Sequence, residues 1–394
     1  PPGIFLLSSE FQVPRDGIRI KGAGQGRTIL RCAPGMTTGH AIVLAGRSDC
    51  HFEDFTLDCN ATARGLAVAS GFNGFNVQGD RNRWRGVEIC NAPLYGLLID
   101  GNTITSTENQ IEGNYIHDNG GTGLALNKAN LTRITGNRFY NNGYENLTVD
   151  IASTGNMVIG NHFLRHRGGC GNIGWDDSDG SLFIGNYVNS ESTTTPVNGT
   201  RIGVCINSEA GTTTGALISG NIIINNLNQG IYLRNRTGQA NPGGVPNWNP
   251  SKPGDAMIAS NYLRNNGVDI KIEDTNETVV LGTNNYQTIE ISDPDVLNVR
   301  LPAGDAGAEI VLTSDQTIPV QQFTRVTFNN VLFSRAITAS GGILNLPCGG
   351  FYSIDAKVRV DVAASGVTAL QLRVVTPNGN RVVNEVMPSG VYIM

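Results

Sequence analysis

The apolar and polar positions of the chain fall into a short phrase that returns between Gly96 and Glu273: Gly or Asn, apolar, small, apolar, polar. It reads Gly96-Leu97-Leu98-Ile99-Asp100, Gly123-Leu124-Ala125-Leu126-Asn127, Asn146-Leu147-Thr148-Val149-Asp150, Asn172-Ile173-Gly174-Trp175-Asp176, Gly203-Val204-Cys205-Ile206-Asn207 and Gly230-Ile231-Tyr232-Leu233-Arg234, with a looser copy at 269–273. The closing polar positions stand 27, 23, 26, 31 and 27 residues apart, which is the period of a solenoid. A second phrase falls between the copies: Ile111-Glu112-Gly113-Asn114, Ile134-Thr135-Gly136-Asn137, Val158-Ile159-Gly160-Asn161, Phe183-Ile184-Gly185-Asn186 and Ile218-Ser219-Gly220-Asn221. Each repeat therefore holds at least two short β-rich runs separated by Gly/Asn turns, with no helical period between them. One such unit cannot bury its apolar face alone, whereas units stacked strand beneath strand share a continuous apolar column. The expected fold is all-β, a right-handed parallel β-helix, with the handedness taken from known β-helices. The Asn at each turn suits it, since Asn tolerates left-handed backbone and can bond to its copy one coil away.

Side chains alternate along a strand, so Leu97, Leu124, Leu147, Ile173, Val204 and Ile231 share one face with Ile99, Leu126, Val149, Trp175, Ile206 and Leu233. That face points inward. The outward columns then read Leu98, Ala125, Thr148, Gly174, Cys205, Tyr232 and Asp100, Asn127, Asp150, Asp176, Asn207, Arg234. Small side chains flanked by larger ones describe a shallow groove lined by the polar column.

The repeat logic carries the solenoid from residue 1 to about 285. In the early coils, 52–57 and 84–89 take the register of the second phrase, and Gly65-Leu66-Ala67-Val68-Ala69 that of the first. Insertions at 190–200 and at 237–255, the latter with Trp248, are loops that leave the body between coils. The stretch 286–308, with Asp293-Pro294-Asp295 and Pro302-Ala303-Gly304, is a linker. Alternating strands without stacked phrases follow over 309–394.

Fifty glycines and only 15% charged residues suit many tight turns and few helices. A net charge of −5 and a pI near 5.6 argue against nucleic acid or an anionic membrane as partner. No apolar run approaches the roughly 20 residues of a membrane span, so membrane insertion is not expected. Seven cysteines, odd in number and without a CxxC pair, predict packed thiols rather than a zinc site or disulfide framework. Gly22-Ala23-Gly24-Gln25-Gly26 after a strand has no helix behind it and reads as a turn, not a nucleotide loop.

The opening "PPGIFLLSS…IRIKGAGQGRTIL" resembles the first coils of the pectate-lyase-like β-helix superfamily, without the cap and first strand carried upstream there. With the absent initiator Met, this predicts a segment of a longer product. The runs "LTSDQTIPVQQFTRVTFNNVLFS", "CGGFYSIDAKVRV" and "LQLRVVTPNGN" resemble the first part of a C1q/TNF-like jelly roll whose closing strands would lie beyond Met394. A β-helix followed by such a sandwich is similar to bacteriophage tailspikes and capsule depolymerases. The resemblance implies a homotrimer on the virion tail that binds, and usually cuts, a bacterial capsular or exopolysaccharide. It assigns 1–285 to polysaccharide binding and catalysis and 309–394 to trimerisation or receptor binding.

The chemistry must be argued from the residues themselves. Neighbouring coils lie about 4.8 Å apart, so Asp150 and Asp176 are neighbours. Like charges so close raise one pKa, leaving a proton donor beside an ionised partner at about the 5–5.5 Å spacing of retaining glycosidases. Asp100 stands two coils from Asp150, and Asp177 and Asp179 add acid to the rim. The expected catalytic set is Asp150, Asp176, Asp100 and Asp177; the expected substrate-binding set is Asn127, Lys128, Asn207, Glu209, Tyr232 and Arg234, with Tyr232, Trp248 and Tyr140 available to stack on sugar rings and Trp175 in the core. Hydrolysis needs no cofactor or metal. Two alternatives stay open: a glycan-binding adhesin, and a secreted lyase or uronate epimerase in which carboxylates hold Ca²⁺ and Lys128, Arg234, Tyr232 or His117 moves protons.

Overall fold

The structure, a computed structural model, describes residues 1–68, 70–190, 201–207, 213–234, 255–273 and 279–291, together with the backbone of the strands Val299–Arg300, Gly307–Val311, Asn330–Arg335, Thr338–Ser340, Ile343–Asn345, Leu372–Thr376 and Gly379–Val383. The chain divides into two compact units, Pro1–Asn345 and Leu346–Met394.

In the first unit the chain winds through three parallel sheets, giving each in turn one strand per coil. The first sheet has 10 strands, from Gly3–Leu7 to Tyr262–Arg264; the second has 11, from Phe11–Gln12 to Ile289–Ile291; the third has 11, from Arg19–Lys21 to Val299–Arg300. The second sheet carries the first phrase in unbroken register, Leu97 to Leu124 to Leu147 to Ile173 to Val204 to Ile231 to Ile270, all fully buried. Trp175 lies in the same core. Aromatic rings stack from coil to coil inside, Phe52 on Trp84 at 5.5 Å and Phe139 on Phe163 at 4.8 Å between centroids. Among the described residues there is no helix.

The second phrase contains two strands where the periodicity distinguishes one. Gln110–Glu112 belongs to the third sheet and Tyr115–His117 to the first, and only Gly113-Asn114 separates them. Here the two turn residues divide the work expected of Asn alone. The glycine takes the left-handed backbone, as at Gly160 (φ 64°), and the Asn turns inward and bonds along the stack. Asn114, Asn137, Asn161, Asn186, Asn221, Asn261 and Asn284 form this ladder, in which each backbone N–H donates to the next side-chain oxygen at 2.8–3.0 Å. The ladder satisfies polar backbone that the tight turn would otherwise bury unpaired.

The early coils depart from the expected register. The early second-sheet strand is not Gly65–Ala69 but Phe75–Gln78, which pairs with Ile42–Ala45 below and Leu97–Asp100 above. Phe75 and Val77 supply the buried alternation, whereas Val68 is 69% exposed. Residues 61–65 form a turn pinned by buried Arg64, which donates to the carbonyls of Met36 and Gly39.

Two strands, Ile289–Ile291 and Val299–Arg300, pair onto the second and third sheets within the stretch read as linker. Beyond them the described backbone consists of antiparallel pairs: Gly307–Val311 with Asn330–Arg335, Thr338–Ser340 with Ile343–Asn345, and, in the second unit, Leu372–Thr376 with Gly379–Val383. These pairs do not by themselves make the expected C1q/TNF-like sandwich, and the other residues of 309–394 lie outside the described residues.

Candidate functional site

The outward face of the second sheet brings the polar column together as the repeat predicts: Asp100 pairs in register with Asn127, Asn127 with Asp150, and Asp176 with Asn207. Asp150 and Asp176 end the adjacent strands Leu147–Asp150 and Ile173–Asp176. Asp150 is half-buried and Asp176 is buried.

The small middle of the other column is not an open groove floor. Ala125, Gly174 and Cys205 are buried, and over Gly174 lie the side chains of Cys170 and Glu145. Glu145 stands two residues before its strand. Its carboxylate accepts a hydrogen bond from the Cys170 N–H at 2.8 Å and from the Thr122 hydroxyl at 3.1 Å. Two glycines make room for it: a Cβ on Gly169 would stand 2.0 Å from Glu145 Oε1, and one on Gly174 would stand 3.4 Å from Glu145 Cγ and 3.1 Å from Cys170 Sγ. Burial raises the Glu145 carboxyl above its ordinary value, and the hydrogen bonds only partly oppose this. Tyr95 stands over the same patch. Its phenol is pushed up first by burial and then by the nearby charges of Glu145 and Asp150. The Cys170 thiol is also raised, by its hydrogen bond with Cys205, by burial, and by Asp176 and Glu145.

Periodicity passed over Glu145, Tyr95 and Cys170 because they lie outside the repeated phrase. The only signal for Glu145 is an acid at the position that Tyr95 and Thr122 take in the preceding coils.

The other expected residues divide by environment. Asp100 builds its own turn, accepting from the Asn102 N–H at 3.0 Å and side-chain amide at 2.7 Å. Lys128 is exposed and Asp177 half-buried, both at left-handed corners (φ 48°). Asp179 is bound within the rim, accepting from Thr214 N–H and hydroxyl at 2.9 and 2.8 Å. Asn207, expected to meet substrate, is fully buried and supports the two thiols, accepting from Cys205 at 3.3 Å and donating to Cys170 at 3.6 Å. Tyr232 and Arg234 are half-buried. The Tyr232 phenol is raised by burial and by its hydrogen bond to Glu273, and Lys271 stands 5.5 Å over its ring. Glu209 and Trp248 lie outside the described residues. His117 and Tyr140 are not at this site: they belong to the first sheet, where His117 is held between Glu88 and Asp118. Among the described residues no group of three or more His, Cys, Asp or Glu is arranged to hold a metal ion. No described helix is long and apolar enough to cross a membrane.

Known proteins bear on the fold. The A-module of mannuronan C-5 epimerase AlgE6 from Azotobacter vinelandii superposes with a TM-score of 0.58 at 16% identity, over 76% of this chain and 88% of that one. The enzymatically active domain of tailspike protein 2 from bacteriophage CBA120 matches 96% of this chain at a TM-score of 0.53 and 13% identity, and this chain spans 53% of that domain. The periplasmic alginate epimerase AlgG gives a TM-score of 0.52 at 15% identity, over 76% of this chain and 78% of that one. No curated protein sequence matches. The family described as the right-handed β-helix region matches residues 16–244, more than half of the sequence. With its three stacked parallel sheets and inward Asn ladder, the chain belongs to the right-handed β-helix family.

Proposed function

We propose that the outward face of the second sheet binds and cuts a bacterial capsular or exopolysaccharide, and that the protein works as a homotrimeric tailspike on a phage virion. The observation that carries the reading is the gathering of Glu145, Asp150 and Asp176 on one sheet face, with burial holding Glu145 protonated to higher pH than an ordinary carboxyl. In glycoside hydrolysis a neutral carboxyl donates its proton to the departing glycosidic oxygen, while an ionised partner attacks the anomeric carbon or takes a proton from water. Glu145 fits the donor, half-exposed Asp150 the nucleophile or base, and Asp176 a fixed negative charge that stabilises the oxocarbenium-like transition state. Asp100, Asp177, Lys128, Arg234 and Tyr232 would line the path of the chain, with Asn127 in register between Asp100 and Asp150. The likeness to a tailspike's enzymatically active domain supports the virion setting. A C1q/TNF-like domain over 309–394 would hold the trimer.

A second reading draws on the likeness to alginate epimerases: inversion of a uronate within the polymer, with Tyr232 or Lys128 moving the proton. One experiment separates the readings. The protein is incubated with acidic and neutral bacterial exopolysaccharides, with chain length followed by size exclusion, unsaturated products by ultraviolet absorbance and uronate configuration by NMR. Hydrolysis predicts shorter chains without new absorbance, and at least a hundredfold loss of rate, roughly the worth of general acid–base catalysis, in Asp150→Asn and in Glu145→Gln. Inverted uronates at constant length would select the epimerase, and binding without any change to the polymer the adhesin. Full activity in both Asp150→Asn and Asp176→Asn would sink the site assignment.

A further inference from the structure

The outward face of the first sheet presents a different chemistry. In its outer column Tyr115 pairs in register with Arg138, Arg138 with His162, and His162 with Tyr187, on four successive coils; Ile222 and Tyr262 continue the row. Arg138, His162 and Tyr262 are exposed, and Tyr115 and Tyr187 half-buried. The Arg138 guanidinium lies 5.2 Å over the Tyr115 ring, and Arg264 donates to the Tyr262 hydroxyl at 3.3 Å.

The acids of this face, among them Glu88 in register with Tyr115, are bonded to partners within it. Glu88 and Asp118 both bond His117, at 3.1 and 2.7 Å, and Asp58 is paired with Arg31 at 2.7 Å. Arg138 and Arg264, by contrast, have no carboxylate within ion-pair distance among the described residues. A chain with a net charge of −5 thus carries a stripe of aromatic rings and uncommitted cations along the direction of stacking.

We infer that this stripe is a second glycan-binding surface, separate from the second-sheet site, and that it takes an acidic polysaccharide lying along the stack. Three kinds of contact fit one another. Flat rings offer apolar faces to sugar rings. Guanidinium groups, rigid forks with several donors, match carboxylates bidentately. Successive coils repeat every 4.8 Å or so, comparable to the advance of an extended sugar chain per residue, so several units are engaged at once and weak contacts add. A neutral glycan would use the rings alone. The inference borrows from the function proposed above only the class of polymer and requires no catalysis.

The test is calorimetric titration of the full chain with polygalacturonate and with uncharged dextran of equal length, at low and high salt. The Asp150→Asn/Asp176→Asn protein serves as a non-cutting parent. Arg138→Gln/Arg264→Gln should weaken polygalacturonate binding about tenfold or more, the worth of a charge-assisted contact, and flatten its salt dependence. Tyr187→Ala should weaken binding with the salt dependence kept. Dextran should bind far more weakly than polygalacturonate. Four results would overturn the inference: no binding of polygalacturonate, equal binding of both polymers, affinity unchanged by the arginine pair, or a fall in oligomeric mass in that variant, which would assign the stripe to contact between copies. Arg138 and Arg264 are exposed and Tyr187 half-buried, while Asp176 in the parent is buried; an unchanged circular dichroism melt establishes that the parent and the variants are folded. Loss of cutting in the parent with stripe binding intact would separate this inference from the catalytic reading.

Discussion

Asn161 offers a direct measure of what the inner ladder contributes. Its side chain is fully buried. Its oxygen accepts from the Asn137 N–H and side-chain amide, both at 2.9 Å, and its amide donates to the Ile134 carbonyl at 2.9 Å, the Asn186 side-chain oxygen at 3.1 Å and the Ile159 carbonyl at 3.2 Å, the last of which also receives the Gly136 N–H. Asn161→Ala removes all five. Some partners keep a second bond: the Asn137 amide still reaches the Ile111 carbonyl at 2.8 Å, and the Asn186 oxygen still receives the Asn161 backbone N–H at 2.9 Å. The Asn137 N–H loses its acceptor, and the Ile134 carbonyl loses a donor. At about 1–3 kcal/mol for each buried group left unsatisfied, the expected cost is roughly 2–6 kcal/mol. Exposed Arg133, on the outward face of the third sheet, is the control, and its replacement by Ala should stay within about 0.5 kcal/mol. Urea titration followed by circular dichroism reads the difference as a lower midpoint at unchanged slope. If Asn161→Ala unfolds within about 0.5 kcal/mol of Arg133→Ala, the ladder is not a source of stability and the account of the turn is wrong.

Glu145 makes stability pH-dependent. An acid whose carboxyl is raised on folding contributes stability fully below the unfolded value, here the ordinary 4.5, and loses it as pH rises through the folded value. Melting midpoints of the native protein and Glu145→Gln, compared across pH, should therefore drift in the variant's favour above pH 4.5 and then level off. A gap that is constant with pH would refute the burial of the acid. Gly169→Ala places a Cβ 2.0 Å from the same carboxylate on left-handed backbone (φ 81°). It should cost about 1–3 kcal/mol in a thermal melt and displace Glu145 enough to reduce polysaccharide cleavage; native cleavage rates would remove Glu145 from the mechanism.

The sequence by itself determined the parallel coils, their register and the inward columns. A period-2 alternation repeated every two dozen or so residues leaves one way to bury Leu97, Leu124, Leu147 and Ile173 together, and a one-residue slip would expose them all. Trp175 followed from the same alternation. Where the local signal was ambiguous, tertiary structure decided. Leu66-Ala67-Val68 is as apolar as a true strand, but only Phe75 and Val77 could fill the space between Leu44 and Ile99, while Arg64 locked 61–65 into a turn. Asn207 was legible as a position on the polar column and not as a buried one, because its cover, Cys170, comes 37 residues earlier in the chain. Glu145 was invisible for a related reason. An acid in a turn is ordinary until stacking sets Gly169 and Gly174 of the next coil against it and partly buries it. The row of Tyr115, Arg138, His162 and Tyr187 also exists only in three dimensions, since its residues are spaced a full coil apart and face one way only because the first sheet aligns them. Period and alternation are properties of the chain alone, whereas burial, charge pairing and pKa depend on what neighbouring coils place within a few ångströms.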